Sequence, residues 1–102
     1  MLELRPSCEN CNKPLAPASE DARICSYECT FCSQCVEQVL HNVCPNCGGG
    51  FVARPIRPAR NWKNANFLGA DPAGTKVTYK PIDVQAFEEF SAQLRAIAPA
   101  SR

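Results

Sequence analysis

Eight cysteines carry the chemistry available to this 102-residue chain. Their spacing is Cys8-x2-Cys11-x13-Cys25-x3-Cys29-x2-Cys32-x2-Cys35-x8-Cys44-x2-Cys47. Two residues between a pair of thiolates allow a tight turn to aim both sulfurs at one ion while backbone N–H groups donate to them. The turn is most legible at Cys44-Pro45-Asn46-Cys47-Gly48, where proline pre-sets the backbone and glycine permits a left-handed residue after the second sulfur. Eight sulfurs divide without remainder into two tetrahedral sites, so the expectation is two Zn2+ per chain. Zinc is preferred over iron because a closed structural site has no redox work to do.

Other chemistries fare worse. His41 is the only histidine, so a Cys–His nucleophile would have to withdraw one sulfur from a complete set of eight. A catalytic zinc needs an open coordination position, and eight ligands for two ions leave none. Glu88 and Glu89 are adjacent on an expected helix and point in different directions, so they read as solvated surface. The expectation is a non-catalytic protein.

The elements that must hold the sulfurs are small. Ala22–Cys25 and Thr30–Cys32 suit two short strands, and Val36, Val39, Leu40 and Val43 recur at the spacing of a short helix from about Ser33 to just before Cys44. The core they can bury consists of Leu15, Ile24, Phe31, Val36, Leu40, Val43 and Phe51. At roughly 1.5–3 kcal/mol each, these side chains do not outweigh the ordering entropy of about fifty residues. Structural zinc, at about 10–16 kcal/mol per ion in finger peptides, offsets the deficit. The fold class expected is a small metal-stapled α+β domain: a short hairpin, a short helix and two zinc sites, extended by a C-terminal amphipathic helix.

Composition divides the chain into three. Residues 1–53 hold all the cysteines with a net charge of −3, while residues 54–102 carry +4. Residues 54–82 begin Arg54-Pro55-Ile56-Arg57-Pro58 and read as a basic, extended strap, with a short strand at Thr75–Lys80 where Val77 and Tyr79 alternate with polar neighbours. Over residues 83–98, Val84, Phe87, Phe90, Leu94 and Ile97 form a helical stripe with Asp83 as N-cap and Pro99 as stop. The stripe must dock on the finger, on the 75–80 strand or on a second copy of the chain.

The segment Cys25-x3-Cys29-Thr30-Phe31-Cys32-Ser33-Gln34-Cys35, a short apolar helix and then Cys44-Pro45-Asn46-Cys47 resembles the RING-finger pattern over about residues 8–50. The resemblance implies cross-braced ligation, with Cys8, Cys11, Cys32 and Cys35 at one zinc and Cys25, Cys29, Cys44 and Cys47 at the other. Spacing alone equally allows a sequential arrangement in which Cys8, Cys11, Cys25 and Cys29 share an ion. Cys29 stands where most RING fingers have histidine, a replacement that zinc accepts. Residues that would contact a ubiquitin-conjugating enzyme match poorly: Glu9-Asn10 replaces the apolar residue between the first two ligands, no aromatic lies between Cys35 and Cys44, and Gly48 replaces the cation after the last ligand. Only Pro45 fits. Leu2-Glu3-Leu4-Arg5-Pro6, Arg23-Ile24-Cys25-Ser26 and Arg54-Pro55-Ile56-Arg57-Pro58 also resemble a family of short bacterial cysteine-rich proteins of unknown function.

The functional expectation is therefore a zinc module acting through protein–protein contact. The alternative is a nucleic-acid-associated finger using Arg54, Arg57, Arg60 and Lys63 for phosphates and Trp62 for stacking. Ubiquitin ligation and thiol-based redox or zinc sensing rank behind both. The first residues lack a secretory leader pattern and no apolar run approaches about 20 residues, so the expectation is a cytoplasmic protein without membrane contact, monomeric or paired through residues 83–98.

Overall fold

A computed structural model describes residues 1–102. Strand β1 (Ala22–Ile24) lies between β2 (Thr30–Cys32) and β3 (Val52–Ala53) in a three-stranded antiparallel sheet. The β1–β2 register pairs Ala22 with Cys32 and Ile24 with Thr30; β3 pairs Ile24 with Val52. β3 was not anticipated, because two residues are too few to show a period. From β2 the chain passes directly into α1 (Ser33–Cys35), which widens into a π-helical turn over Val36–Leu40. Left-handed His41 and Asn42 end it, and the N–H groups of both turn back to the Val36 carbonyl. Val36, Leu40 and Val43 are buried as their spacing anticipates.

Six of the thirteen residues in the main core cluster are cysteines. Around them lie Leu15, Phe31, Val36, Leu40 and Val43, with Phe51 packed edge-on to Phe31 at a centroid distance of 5.4 Å. Sulfur thus fills the space that aliphatic carbon fills in a larger domain.

The helix expected over 83–98 is shorter than its stripe. α2 spans Val84–Ser91, capped by the Asp83 carboxylate accepting from Ala86 N–H at 3.1 Å, and then tightens to 3₁₀ turns at Leu94–Ala96 and Pro99–Ser101. Only Phe87 reaches the core fully, with Ile82 and Leu94 packed beside it, while Val84 and Phe90 remain 61 % and 46 % exposed. The last residues contact the finger, where Arg102 Nη1 donates to the carbonyls of Asn42 and Gly48 at 2.8 and 3.1 Å.

The strand expected at Thr75–Lys80 is absent. That stretch joins no sheet edge, and the backbone N–H groups that tie its flanks are Gly74 N–H to Leu4 O and Lys80 N–H to Glu9 O. The alternation of Val77 and Tyr79 leaves both side chains exposed.

Candidate metal centres

The hairpin decides which sulfurs can meet. Cys25 and Cys29 flank the turn at one end of β1 and β2, whereas Cys32 closes β2 at the other end and Cys35 follows it in α1. Strands of three residues separate those ends by roughly 7–10 Å, too far for one ion to hold all four. Each end is met by a Cys-x2-Cys knuckle from elsewhere in the chain. Cys8, Cys11, Cys32 and Cys35 bring their sulfurs within 4.8 Å of one another, and so do Cys25, Cys44 and Cys47. The clusters are interleaved along the chain, and the consecutive set Cys8, Cys11, Cys25 and Cys29 does not assemble. Cys29 is buried beside the second cluster, its backbone carbonyl accepting from Cys25 N–H at 3.2 Å, but its sulfur lies outside the 4.8 Å set.

The two knuckles share one backbone. Asn12 N–H donates to Cys8 O at 2.9 Å and Gly48 N–H to Cys44 O at 2.8 Å. In the reverse direction Cys8 N–H donates to Lys13 O and Cys44 N–H to Gly49 O. The residue after each second cysteine is left-handed, Asn12 at φ 64° and Gly48 at φ 80°. Backbone N–H groups of Asn46 and Gly49 point at the sulfurs of Cys44 and Cys47, each at 3.4 Å. Tyr27 N–H does the same for Cys25 at 3.3 Å.

The donor set fits a thiophilic cation. All eight cysteines are free, and Cys11 and Cys32 hold their sulfurs 3.8 Å apart, far beyond a disulfide bond. A tetrahedron of sulfurs with metal–sulfur bonds of about 2.3 Å has edges of about 3.8 Å. Burial pushes the thiols of Cys29, Cys32, Cys35 and Cys44 up, and neighbouring sulfurs push each further. For Cys11, burial also acts upward but is outweighed by hydrogen bonds from the Lys13 backbone and the facing cysteines, leaving that thiol below its usual value. Several sulfurs gathered in so little water ionise together only around a cation.

The remaining residues singled out in the sequence disperse. Arg54 is buried, its guanidinium donating to the carbonyls of Arg5, Leu15 and Ala16, and Arg57 donates to those of Leu2 and Asp71. These two arginines pin the strap to the finger through backbone oxygens, so Arg54 cannot contact a phosphate or a partner as expected. Arg60, Trp62 and Lys63 stay on the surface, Trp62 with 76 % of its area open. His41 is exposed at the end of the π-helical turn.

Three residues of the site were missed: Glu9, Asn10 and Asn46. Glu9 is buried inside the first knuckle. Its carboxylate accepts from Arg5 at 2.9 Å and from Thr30 N–H at 2.5 Å, and its backbone carbonyl accepts from Lys80 N–H at 2.7 Å. Asn10 Nδ2 donates to Cys35 Sγ at 3.4 Å. The signal for the asparagines was available, since both knuckles read Cys-x-Asn-Cys. Nothing local identifies a glutamate that folds inward.

A model of a family described as a protein of unknown function (DUF1272) matches residues 1–57. An uncharacterized protein of Rhizobium meliloti (strain 1021) is 51 % identical over 81 residues, covering 79 % of this chain and 89 % of that protein. Because 81 residues exceed the 57 of the family match, that likeness extends beyond residues 1–57. No solved structure matches the chain.

Proposed function

Since the chain belongs to the DUF1272 family, whose description assigns no activity, its function has to be argued from its own residues, and we propose that it is a non-catalytic, RING-like zinc module that works by protein–protein contact. The observation that carries this reading is the interleaving of the two sulfur clusters, Cys8, Cys11, Cys32 and Cys35 against Cys25, Cys44 and Cys47. In it, Cys29 completes the second set, and each centre binds one Zn2+. When bound, zinc supplies cross-linking and charge neutralisation, with no coordination position left for a substrate. The chain's own residues then hold two loops, a hairpin and a helix rigidly in register. No helix is long and apolar enough to cross a membrane.

What such a scaffold presents is a set of exposed aromatic residues. Tyr27, Trp62, Tyr79 and Phe90 are all open, and side chains of this kind are the usual anchors of protein interfaces. The nucleic-acid alternative loses two of its four cations to Arg54 and Arg57, which are engaged within the fold. Ubiquitin ligation is further disfavoured, because Glu9 and Asn10 face the tail at residues 80–82.

Native mass spectrometry with metal analysis tests the metal half of the proposal; the expected result is two zinc ions per chain. A photo-reactive residue replacing Trp62 tests the other half in the producing cell. A metal-dependent adduct with another protein is expected, and adducts with nucleic acid alone would replace this reading with the alternative. Retention on single-stranded DNA or RNA at about 50 mM salt, lost steeply as salt rises, would do the same.

A further inference from the structure

The asparagines of the two knuckles occupy the same position, and each joins a sulfur to residues 80–82. Asn10 Nδ2 donates to Cys35 Sγ at 3.4 Å while its Oδ1 accepts from Ile82 N–H at 3.0 Å. Asn46 Oδ1 accepts from Lys80 Nζ at 3.3 Å, and its backbone N–H donates to Cys44 Sγ at 3.4 Å. The amide orientations are dictated by chemistry. A backbone N–H and an ammonium can only donate, so each amide oxygen must face the tail, and at Asn10 the NH2 is thereby turned to the Cys35 sulfur. Glu9, beside Asn10, adds the bond from Lys80 N–H to its carbonyl. Residues 80–82 are thus held by both knuckles immediately before the helix that delivers Phe87 to the core.

We propose that Asn10 and Asn46 link metal occupancy to docking of the C-terminal segment: Asn10 grips a metal-bound sulfur with one end of its amide and Ile82 with the other, and Asn46 grips one with its backbone N–H and Lys80 with its amide oxygen. This rests on the zinc reading above. A metal-bound sulfur is an anionic acceptor, and a hydrogen bond to it is charge-assisted and therefore stronger than one to a neutral thiol. The ion thereby orients the amide, and the oriented oxygen favours the docked tail. Linkage is reciprocal, so the docked tail holds the donor in place and raises the affinity for the ion by the same factor. Groups that orient metal ligands in this way are worth about 10–100-fold in affinity. The consequence is a zinc-responsive surface: loss of an ion loosens residues 80–91 and uncovers the apolar side of α2 around Phe87.

The test uses the zinc-loaded full chain, with deuterium exchange over residues 80–91 and zinc transfer to a chelator as its two readouts. For Asn10→Ala, two bound ions, roughly tenfold faster zinc transfer and faster exchange at Ile82 and Phe87 are expected. Should Asn10→Ala fail to fold, Asn10→Asp serves, since it keeps an acceptor for Ile82 but sets an oxygen against Cys35; its zinc transfer is also expected to be faster. Lys80→Ala approaches from the tail side and alters nothing in the finger, yet it should speed zinc transfer severalfold. If these variants hold two ions and match the wild type in both readouts, the link is overturned while the zinc reading stands. A wild-type chain isolated without metal overturns both.

Discussion

The loops at residues 8–13 and 44–49 have the same backbone and different surroundings. In the first, the left-handed position is Asn12, which is exposed, and the loop meets three-dimensional neighbours mainly through Glu9 and Asn10. In the second it is Gly48, buried beneath the tail, where an added Cβ would lie 3.4 Å from Leu94 Cδ1 and 3.6 Å from Phe90 Cζ. The first loop gathers four sulfurs within 4.8 Å and the second gathers three. Two loops that read Cys-x-Asn-Cys thus share one knuckle backbone in different surroundings. What the knuckle binds and what covers it depend on the end of the hairpin that it meets.

Chelation should have the largest effect on this comparison. With apparent stabilisation of about 10–16 kcal/mol per structural zinc, removal of both ions exceeds the whole stability of a small domain. Loss of the cooperative thermal transition in circular dichroism is expected; a metal-free chain that melts like the loaded one would contradict the idea that sulfur replaces a missing core.

Cysteine substitutions separate the two clusters. Cys32→Ser and Cys47→Ser should each lose about one ion, with the greater loss of stability for Cys32→Ser, because Cys32 is buried at the end of β2 while Cys47 is exposed. Cys29→Ser sharpens the comparison most. A fall from two ions to one makes the second site equivalent to the first, whereas two ions retained leaves it a three-sulfur site. Metal stoichiometry by mass spectrometry distinguishes the outcomes.

Phe87→Ala removes the one tail side chain that reaches the core fully and should cost about 3 kcal/mol in denaturant unfolding, with both ions retained. Exchanging the left-handed residues is a smaller perturbation. Asn12→Gly should be neutral or stabilising by under about 1 kcal/mol, since glycine adopts positive φ freely. Gly48→Asn should cost about 1–2 kcal/mol, because the new side chain meets Leu94 and Phe90 as well as an unfavourable backbone angle. Equal effects at both positions would mean that the tail does not press on the second loop.

The smallest effect depends on pH and concerns the first loop alone. Hydrogen bonds from Lys13 and Ser33 hold the Asp21 carboxyl below its usual range and connect that loop to α1. A depressed carboxyl contributes stability above its unfolded value near 4, and this contribution is lost as pH falls through the lower folded value. The stability difference between wild type and Asp21→Asn should therefore be present at pH 7 and shrink below about pH 4. A constant difference across that range would remove Asp21 from the account.

Much of the finger was legible because its information is local. The strands at Ala22–Ile24 and Thr30–Cys32, the buried face Val36, Leu40 and Val43, and the turn at Cys44–Gly48 follow from spacing and from the few conformations that proline and glycine permit. The tail was less legible. Its stripe over 83–98 marks a face that needs covering, but where the helix stops depends on where the finger lies, so α2 ends at Ser91. Alternation at 75–80 promised a strand that has no edge to join. Arg54 carries the composition of a surface cation yet lies inside, because three carbonyls converge where its guanidinium arrives.

By itself, the sequence determined the number of sulfurs, the pairs that each tight turn delivers and the poverty of the carbon core. These depend on residue type and on neighbours a few positions away. Only the tertiary structure decided which pairs share a cluster, that Glu9 turns inward, and that two asparagines connect sulfur to tail. Those contacts join residues up to 72 positions apart, and no local pattern encodes a hydrogen bond such as Ile82 to Asn10, whose partners are brought together only by the fold of the whole chain.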